Sequence, residues 1–574
     1  MVKGAHKMGE MSDLWREAQC LETVICTVLS NLEIVLIEID NGVQPSAYHY
    51  IVSKKVTQGE EGEDDAAAMG EEKQNDERKN KYAVGCSIIG SIISVLMGYD
   101  TGVMSGAMLF IKEDLKTNDT QVQVLAGILN VCALVGSLTA GRVSDCVGRR
   151  LTISLAACIF LVGSVLMGLA PNFATLLAGR CVAGVGVGYA LMIAPVYAAE
   201  IASADIRGSL TSLPEICISF GILIGYVANY LLAKLPLVYG WRAMLGLGAL
   251  PSAALALGVL AMPESPRWLV VQGRAEEALS VLRRVCDRPS EADARLAEIK
   301  AAAGLADDDG AAANAGSGGK GVWRELFLHP TPPVRRIVIA ALGIHFFQHL
   351  TGIEAVVLYS PRIFKAAGIA SRNSVLAATI GVGVTKTAFI LTAILLVDRI
   401  GRRPLYLSSL AGIIASLACL GMGLTVIERS PPHHSPAWAV VLAIATVFTF
   451  VASFSIGVGP ITWAYSSEVY PLRLRAQGAS VGVAINRVMN AGVSMTFVSL
   501  YKAITIGGAF FLFAGLAVAA ATFFYLLCPE TQGKPLEEIE EVFSQGWRAR
   551  RRASAAAVEM PASGGGGGGG APMA

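Results

Sequence analysis

From Tyr82 onward the chain is divided into twelve stretches of about twenty or more mostly apolar residues, each able to cross roughly 30 Å of hydrocarbon. They lie near 82–111, 122–141, 151–170, 173–199, 210–233 and 243–262, then near 337–358, 375–397, 405–427, 437–465, 476–500 and 503–528. Backbone N–H and C=O groups have no water to bond in lipid, so spans of this length must satisfy themselves as helices. The expected fold is an all-α membrane protein of twelve transmembrane helices. The composition agrees, with 53% hydrophobic and only 16% charged residues, while a net charge of +1 gives no electrostatic footprint for nucleic acid.

The polar links divide the twelve runs into two sets of six. Gly141–Arg150 reads GRVSDCVGRR, and its core returns as Asp398-Arg-Ile-Gly-Arg-Arg403, again between apolar runs. A motif repeated in equivalent settings predicts two related, pseudo-symmetric halves. The expected organisation is a disordered N-terminal region at 1–81, a six-helix half at 82–262, a linker at 263–336, a second half at 337–528 and a largely disordered tail at 529–574.

Loop charge sets the sidedness. Arg142, Arg149, Arg150, Arg207, Arg399, Arg402, Arg403, Arg473 and Arg475 fall in alternate links, which places those links and both termini in the cytoplasm. Lys112, Lys116, Arg362, Lys365 and Arg372 are exceptions on the other side. In the linker, Ala275–Cys286 is amphipathic, with Leu279, Leu282 and Val285 on one side, and Ala301–Gly321 should be flexible. Gln58–Asn80 is charged and reads as disordered, and Met69 could serve as a start, leaving 1–68 dispensable. The 11 cysteines form no C-x-x-C pair, so no metal site, disulfide framework or cofactor is expected.

Six ionisable residues stand within the spans: Asp100, Arg180, Glu215, Glu354, Lys386 and Arg487. A charge at the bilayer centre costs about 3 kcal/mol on insertion scales, so each needs a partner or a wet cavity. Fixed ion pairs holding helices together are the alternative, but apolar packing does that without the desolvation cost. Gly184 and Gly188 follow Arg180 at i+4 and i+8 and allow a close helix approach there.

The ordered segments PVYAAEIASADIRG (195–208), PESPRW (263–268), QHLTGIEAVVLYSP (348–361), GPITWAYSSEVYPLRLRAQG (459–478) and PETQGKPLEEIE (529–540), with both GRR motifs, resemble the sugar porter family of the major facilitator superfamily. Pro214-Glu215, GIEAVVLYSPRIF and GVTKTAF are similar to its plant polyol/monosaccharide proton symporter branch. The resemblance spans roughly 82–543 and implies a plasma-membrane, proton-coupled symporter working by alternating access, not an enzyme. A facilitative uniporter and a nontransporting sugar sensor are the alternatives.

The resemblance also assigns residues. Asp100 and Arg180 match the carboxylate and arginine of proton–sugar symporters, whereas facilitative glucose carriers are neutral where Asp100 stands. A paired carboxylate stays ionised, and burial without its cation favours the protonated form, so such a group can load and release a proton as the conformation changes. Glu215, Gln348, His349, Glu354, Tyr359, Phe454, Trp463 and Asn486 are expected around a polyol or monosaccharide near the midplane. The family usually has Gln at 215 and 349 and Asn at 354 and 386; carboxylates at 215 and 354 suit linear polyols. His349 taken alone reads as a satisfied polar core residue rather than a proton relay.

The resemblance implies cytoplasmic clamps made of Asp145, Arg149, Arg150, Glu200 and Arg207 in one half and Asp398, Arg402, Arg403, Glu468 and Arg475 in the other. The expectation is pairing across the halves, locking an outward-open state. Exposed pairs contribute well under 1 kcal/mol each, yet a network can bias a two-state equilibrium.

Overall fold

The computed structural model describes residues 65–201, 207–286, 288–302, 324–431, 436–471, 474–532 and 542–544. The described residues contain twelve helices long and apolar enough to cross a membrane and no strand. They are α1 (Gly85–Asp114), α2 (Asp119–Val147), α3 (Arg149–Gly168), α4 (Phe173–Ile201), α5 (Leu213–Leu232) and α6 (Leu237–Ala261), followed by α7 (Pro332–Ala366), α8 (Arg372–Val397), α9 (Arg402–Arg429), α10 (Ala437–Ser466), α11 (Gln477–Ile504) and α12 (Ile506–Leu527). Between α6 and α7 lie shorter helices at Pro266–Val271, Ala275–Val285 and Pro289–Ala302.

Helix pairing repeats with an offset of six. In the first half α1 packs on α5, α2 and α3 on α4, and α3 on α6; in the second α7 packs on α11, α8 and α9 on α10, and α9 on α12. The halves meet along two seams, α2 with α11 and α5 with α8, which the same offset interchanges. Within a half the backbones approach through small residues. A Cβ on Gly98 of α1 would fall 2.0 Å from the Ile218 carbonyl of α5, and one on Gly188 of α4 would fall 2.2 Å from the Ala133 carbonyl of α2. In lipid there is little hydrophobic drive between helices, so this close approach supplies the dispersion contact that holds them.

Besides a short interruption of α6 between Leu237–Gly246 and Ala249–Gly258, two spans are broken in mid-course. Gly352 adopts φ +85° and divides α7 into Pro332–Leu350 and Ile353–Ala366, a left-handed conformation that a side chain would strain. Gly457 separates Ala437–Ile456 from Val458–Val469 within α10. Both glycines are buried in the protein, the setting in which irregular backbone is tolerated at membrane depth.

Several expectations are adjusted. The helix that contains α1 begins at Asp65, so the acidic run read as disordered is helical from that residue to Asn80; its Ala, Glu, Lys, Gln and Arg content favours helix. The amphipathic linker helix is present at Ala275–Val285, and its buried face is Ala278, Val281, Leu282 and Val285, with Leu279 only half-buried at the margin. Residues 1–64, most of the flexible stretch at 301–321, and the tail beyond 544 lie outside the described residues, as do the side chains of Arg207, Asp398 and Arg475.

Candidate functional site

One cavity opens between the halves. Thr101, Asn130, Arg180 and Glu215 line it from the first half; Gln348, His349, Glu354, Lys386, Phe454, Trp463, Asn486, Arg487 and Asn490 line it from the second. The broken helices position much of this wall. The Gln348 amide, one turn before the break in α7, donates to the Gly459 carbonyl at 3.3 Å, just past the break in α10. Its oxygen accepts from Asn486 Nδ2 of α11 at 2.7 Å. Asn486 Oδ1 in turn accepts from the Arg487 guanidinium through Nε at 3.1 Å and through Nη2. Three helices of the second half are thereby tied into a single donor–acceptor surface.

Across the cavity, Arg180 Nη1 lies 2.6 Å from Asp100 Oδ2, with both side chains nearly fully buried. Arg180 Nε also donates to the Leu125 carbonyl of α2 at 3.3 Å. Arg180 borders the cavity and Asp100 stands behind it on α1. The guanidinium is thus the wall between the buried carboxylate and the wet interior.

Of the residues expected around a ligand, Glu215, Gln348, His349, Glu354, Phe454, Trp463 and Asn486 border the cavity. His349 Nδ1 is 3.5 Å from Glu354 Oε1 across the α7 break, so these two side chains share a corner. Tyr359 does not border it. Its ring is fully buried, packs on Phe497, and its hydroxyl donates to the Ser494 carbonyl at 2.7 Å. The non-helical φ of −108° at Tyr359 turns the side chain toward α11 rather than the cavity.

The GRR motifs build a second, duplicated arrangement at one end of the bundle. Gly148 and Gly401 both hold positive φ, +95° and +98°, between α2 and α3 and between α8 and α9. Glu264 accepts from the main-chain N–H groups of Arg149 and Arg150 at 2.9 and 3.2 Å. Glu530 does the same for Arg402 and Arg403 at 3.1 and 2.9 Å. Each carboxylate thus supplies the missing acceptor at a helix N-terminus, where the helix dipole also favours a negative charge. The side chains repeat too: Arg149 meets Glu200 at 3.0 Å and Ser265 Oγ donates to Glu200 at 2.5 Å, while Arg402 meets Glu468 at 3.0 Å and Thr531 Oγ1 donates to Glu468 at 2.8 Å. Tyr197 and Tyr465 bond the carbonyls of Pro263 and Pro529.

In this structure the described pairs lie within each half, whereas the expectation placed pairing across the halves in an outward-open state. Among the described residues, Glu200 pairs with Arg149, and Glu468 with Arg402, each inside its own half. The Asp145 carboxylate lies 3.3 Å from Arg149 of the same half, from an exposed position. Arg150 and Arg403 donate to carbonyls of their own halves, Met262 at 3.2 Å and Tyr525 at 2.9 Å. The halves are instead joined at the opposite end, where Arg372 lies 2.5 Å from Glu113 and Asp119 is approached by Lys112 at 2.6 Å, Arg362 at 3.7 Å and Lys502. Three of the five cations that break the loop-charge pattern, Lys112, Arg362 and Arg372, therefore have carboxylate partners.

The model of the family described as "Sugar (and other) transporter" matches residues 86–543. The chain belongs to this sugar transporter family. "Probable polyol transporter 6" of Arabidopsis thaliana is 59% identical over 470 residues, covering 81% of this chain and 95% of that protein. "Polyol transporter 5" of the same plant is 57% identical over 477 residues, covering 82% and 88%. The solved structure of the proton:xylose symporter XylE bound to 6-bromo-6-deoxy-D-glucose superposes with a TM-score of 0.68 at 27% identity, covering 81% of this chain and 99% of that one. As a sugar transporter family member the protein is a multi-pass membrane transporter with the major facilitator fold, not an enzyme.

Membership does not by itself explain the charged wall of this family member. Lys386 and Arg487 border the same cavity as Glu215 and Glu354, and were visible in the sequence only as charges within spans. Asn130, Asn490, Glu264 and Glu530 were missed. The last two stand in PESPRW and PETQGK, and the equivalent placement of those motifs after the sixth and twelfth runs was the signal that could have found them.

Proposed function

We propose that the protein is a proton-coupled symporter of polyols and monosaccharides that works by alternating access in the plasma membrane, with both termini cytoplasmic. The observation that carries the reading is the buried Asp100–Arg180 pair, 2.6 Å apart, with its cation on the cavity wall. The desolvation of such a buried pair can exceed its Coulombic return, so its presence supports a working role rather than a purely structural one. Protonation of Asp100 removes the partner charge of Arg180, and the freed guanidinium changes the wall that a ligand meets. The names of the relatives, polyol transporters and a proton:xylose symporter, support the same substrate class and the same coupling ion.

In this reading Glu215, Gln348, His349, Glu354 and Asn486 bond the hydroxyls of a ligand, and Phe454 and Trp463 cover its C–H faces. The GRR end, with Glu200, Arg207, Glu468 and Arg475, is cytoplasmic, and the Asp119 end faces outward. Energetically one proton suffices for accumulation. A membrane potential of about 100 mV supplies about 2.3 kcal/mol per charge, and roughly two pH units add about 2.7 kcal/mol at 1.36 per unit.

The deciding experiment is electrophysiology in a heterologous cell, with sorbitol, mannitol, xylitol, myo-inositol and hexoses applied over a range of external pH. The expected result is an inward current evoked by polyols that grows as the medium is acidified. Uptake without current or alkalinisation of the medium would assign a uniporter, and no uptake of any member of the panel would leave a sensor.

A further inference from the structure

The seam between α2 and α11 is polar along one half of its length and carries no such bonds along the other. The two helices run antiparallel, and Asp119, Gln123, Gly127 and Asn130 of α2 meet, in that order, Lys502, Ser499, Met495 and then Asn490 with Arg487 of α11. Gln123 exchanges bonds with Ser499, donating to its hydroxyl at 3.0 Å and accepting from its main-chain N–H at 3.1 Å. At Gly127 a Cβ would fall 2.2 Å from Met495 Cγ, so the helices touch between the polar rungs. Beyond Asn130, toward the GRR end, no hydrogen bond or ion pair joins α2 to α11 among the described residues.

Asn130 is therefore the last rung, and it is the one that reaches the cavity. Both ends of its amide are committed to the opposite half: Nδ2 donates to Asn490 Oδ1 at 2.7 Å, and Oδ1 accepts from Arg487 Nη1 at 3.3 Å. Arg487 is itself part of the chain through Asn486 to Gln348 on the far wall. A single side chain of the first half thus helps to hold two polar groups that the second half presents to a ligand, alongside Ser494, whose hydroxyl donates to Asn490 Oδ1 at 3.2 Å, and Asn486 on Arg487. When the seam opens, those groups lose that constraint.

We propose that Asn130 is a positioning residue of the substrate site: the inner rung of a polar seam whose closure aims Arg487 and Asn490 at a polyhydroxylated ligand. The inference rests on the transport reading above. It makes substrate affinity and closure of the outer end two views of one equilibrium, since whatever favours the closed seam favours the ordered site, and the converse holds by linkage. A bound polyol and a closed seam then stabilise each other.

The test is a double-mutant cycle on polyol KM and on turnover, normalised to the amount of protein at the cell surface. Asn130→Ala and Asn490→Ala should each raise KM about tenfold, and the double variant should fall well short of the product of the two, because both remove the bond between Asn130 and Asn490. Asn130→Ser, which keeps a donor and an acceptor, should recover KM to within about threefold of wild type. Asp119→Asn, at the outer rung and away from the ligand, should lower turnover by more than it raises KM. Losses that multiply in the double variant, or an unchanged KM in Asn130→Ala, would overturn the assignment while wild-type transport stands. A wild type that takes up no member of the polyol panel would instead remove the transport reading on which it rests.

Discussion

Glu264 accepts the main-chain N–H of Arg149 at 2.9 Å, tying the segment after α6 to the first turn of α3 across 115 residues of chain. Its counterpart in the second half, Glu530 with Arg402, repeats the bond at 3.1 Å. These carboxylates sit where each span starts, so each half carries its own fastening at the GRR end. Glu264→Gln and Glu530→Gln should each lower stability by about 1–2 kcal/mol, the range for weakening a charge-assisted bond at a helix N-terminus. Because the two fastenings share no atoms, the effects should add in the double variant, and thermal unfolding of the purified protein in detergent would read this directly. A double variant no worse than one single would mean that the two ends are joined.

Asp100→Asn mimics a permanently protonated carboxyl. The variant should keep polyol binding, because an amide and a protonated acid both donate and accept. It should lose substrate-evoked current and uphill accumulation, while exchange of labelled polyol across the membrane continues. Wild-type uptake should rise as the outside is acidified, and the variant should be flat over the same range. Full current in Asp100→Asn would move the proton to another carboxyl, with Glu215 the next to try.

Glu215 and Glu354 give the cavity two strong acceptors, one from each half. Replacing both, Glu354→Asn with Glu215→Gln, should shift the preference from linear polyols toward pyranose sugars. A competition series against one labelled substrate measures the ranking before and after. An unaltered order would show that the carboxylates do not select ring shape.

Tyr359 makes a different prediction from the residues around it. Its hydroxyl bonds a buried carbonyl at 2.7 Å, and it is not among the residues that line the site cavity. Tyr359→Phe should cost about 1–2 kcal/mol of stability, since the Ser494 carbonyl loses its side-chain donor. KM for polyol should stay within about twofold of wild type, because the ring packing is kept. A selective loss of affinity would return Tyr359 to the ligand.

Much of the fold was legible because membrane solvation leaves few choices. Apolar runs of sufficient length had to be helices, and the repeated GRR motif marked the two halves. Gly352, a glycine inside the seventh apolar run, proved to be a left-handed break. What stayed hidden was contact between residues remote in sequence. Nothing in GPITWAYSSE says that Glu468 meets Arg402 rather than an arginine of the other half, because both choices satisfy the same charges. Tyr359 lies in the same stretch as Gln348 and Glu354, but one backbone turn points it at α11 instead of the cavity. Asn130 was passed over because a lone amide in an apolar run carries no charge to attract notice, and only the antiparallel register of α2 and α11 shows its two partners.

The cavity is lined by Glu215 and Glu354 as well as by Lys386 and Arg487, and in their ordinary ionised forms these four charges sum to zero. Asp100 and Arg180 behind and beside them also cancel. A neutral polyol entering such a chamber moves no charge through the membrane field, and neither does the return of the empty chamber with its pairs intact. In the proposed cycle the electrical work then falls on the proton carried at Asp100, so voltage acts on the filling of that carboxyl and on the turning of the loaded chamber rather than on the return of the empty one.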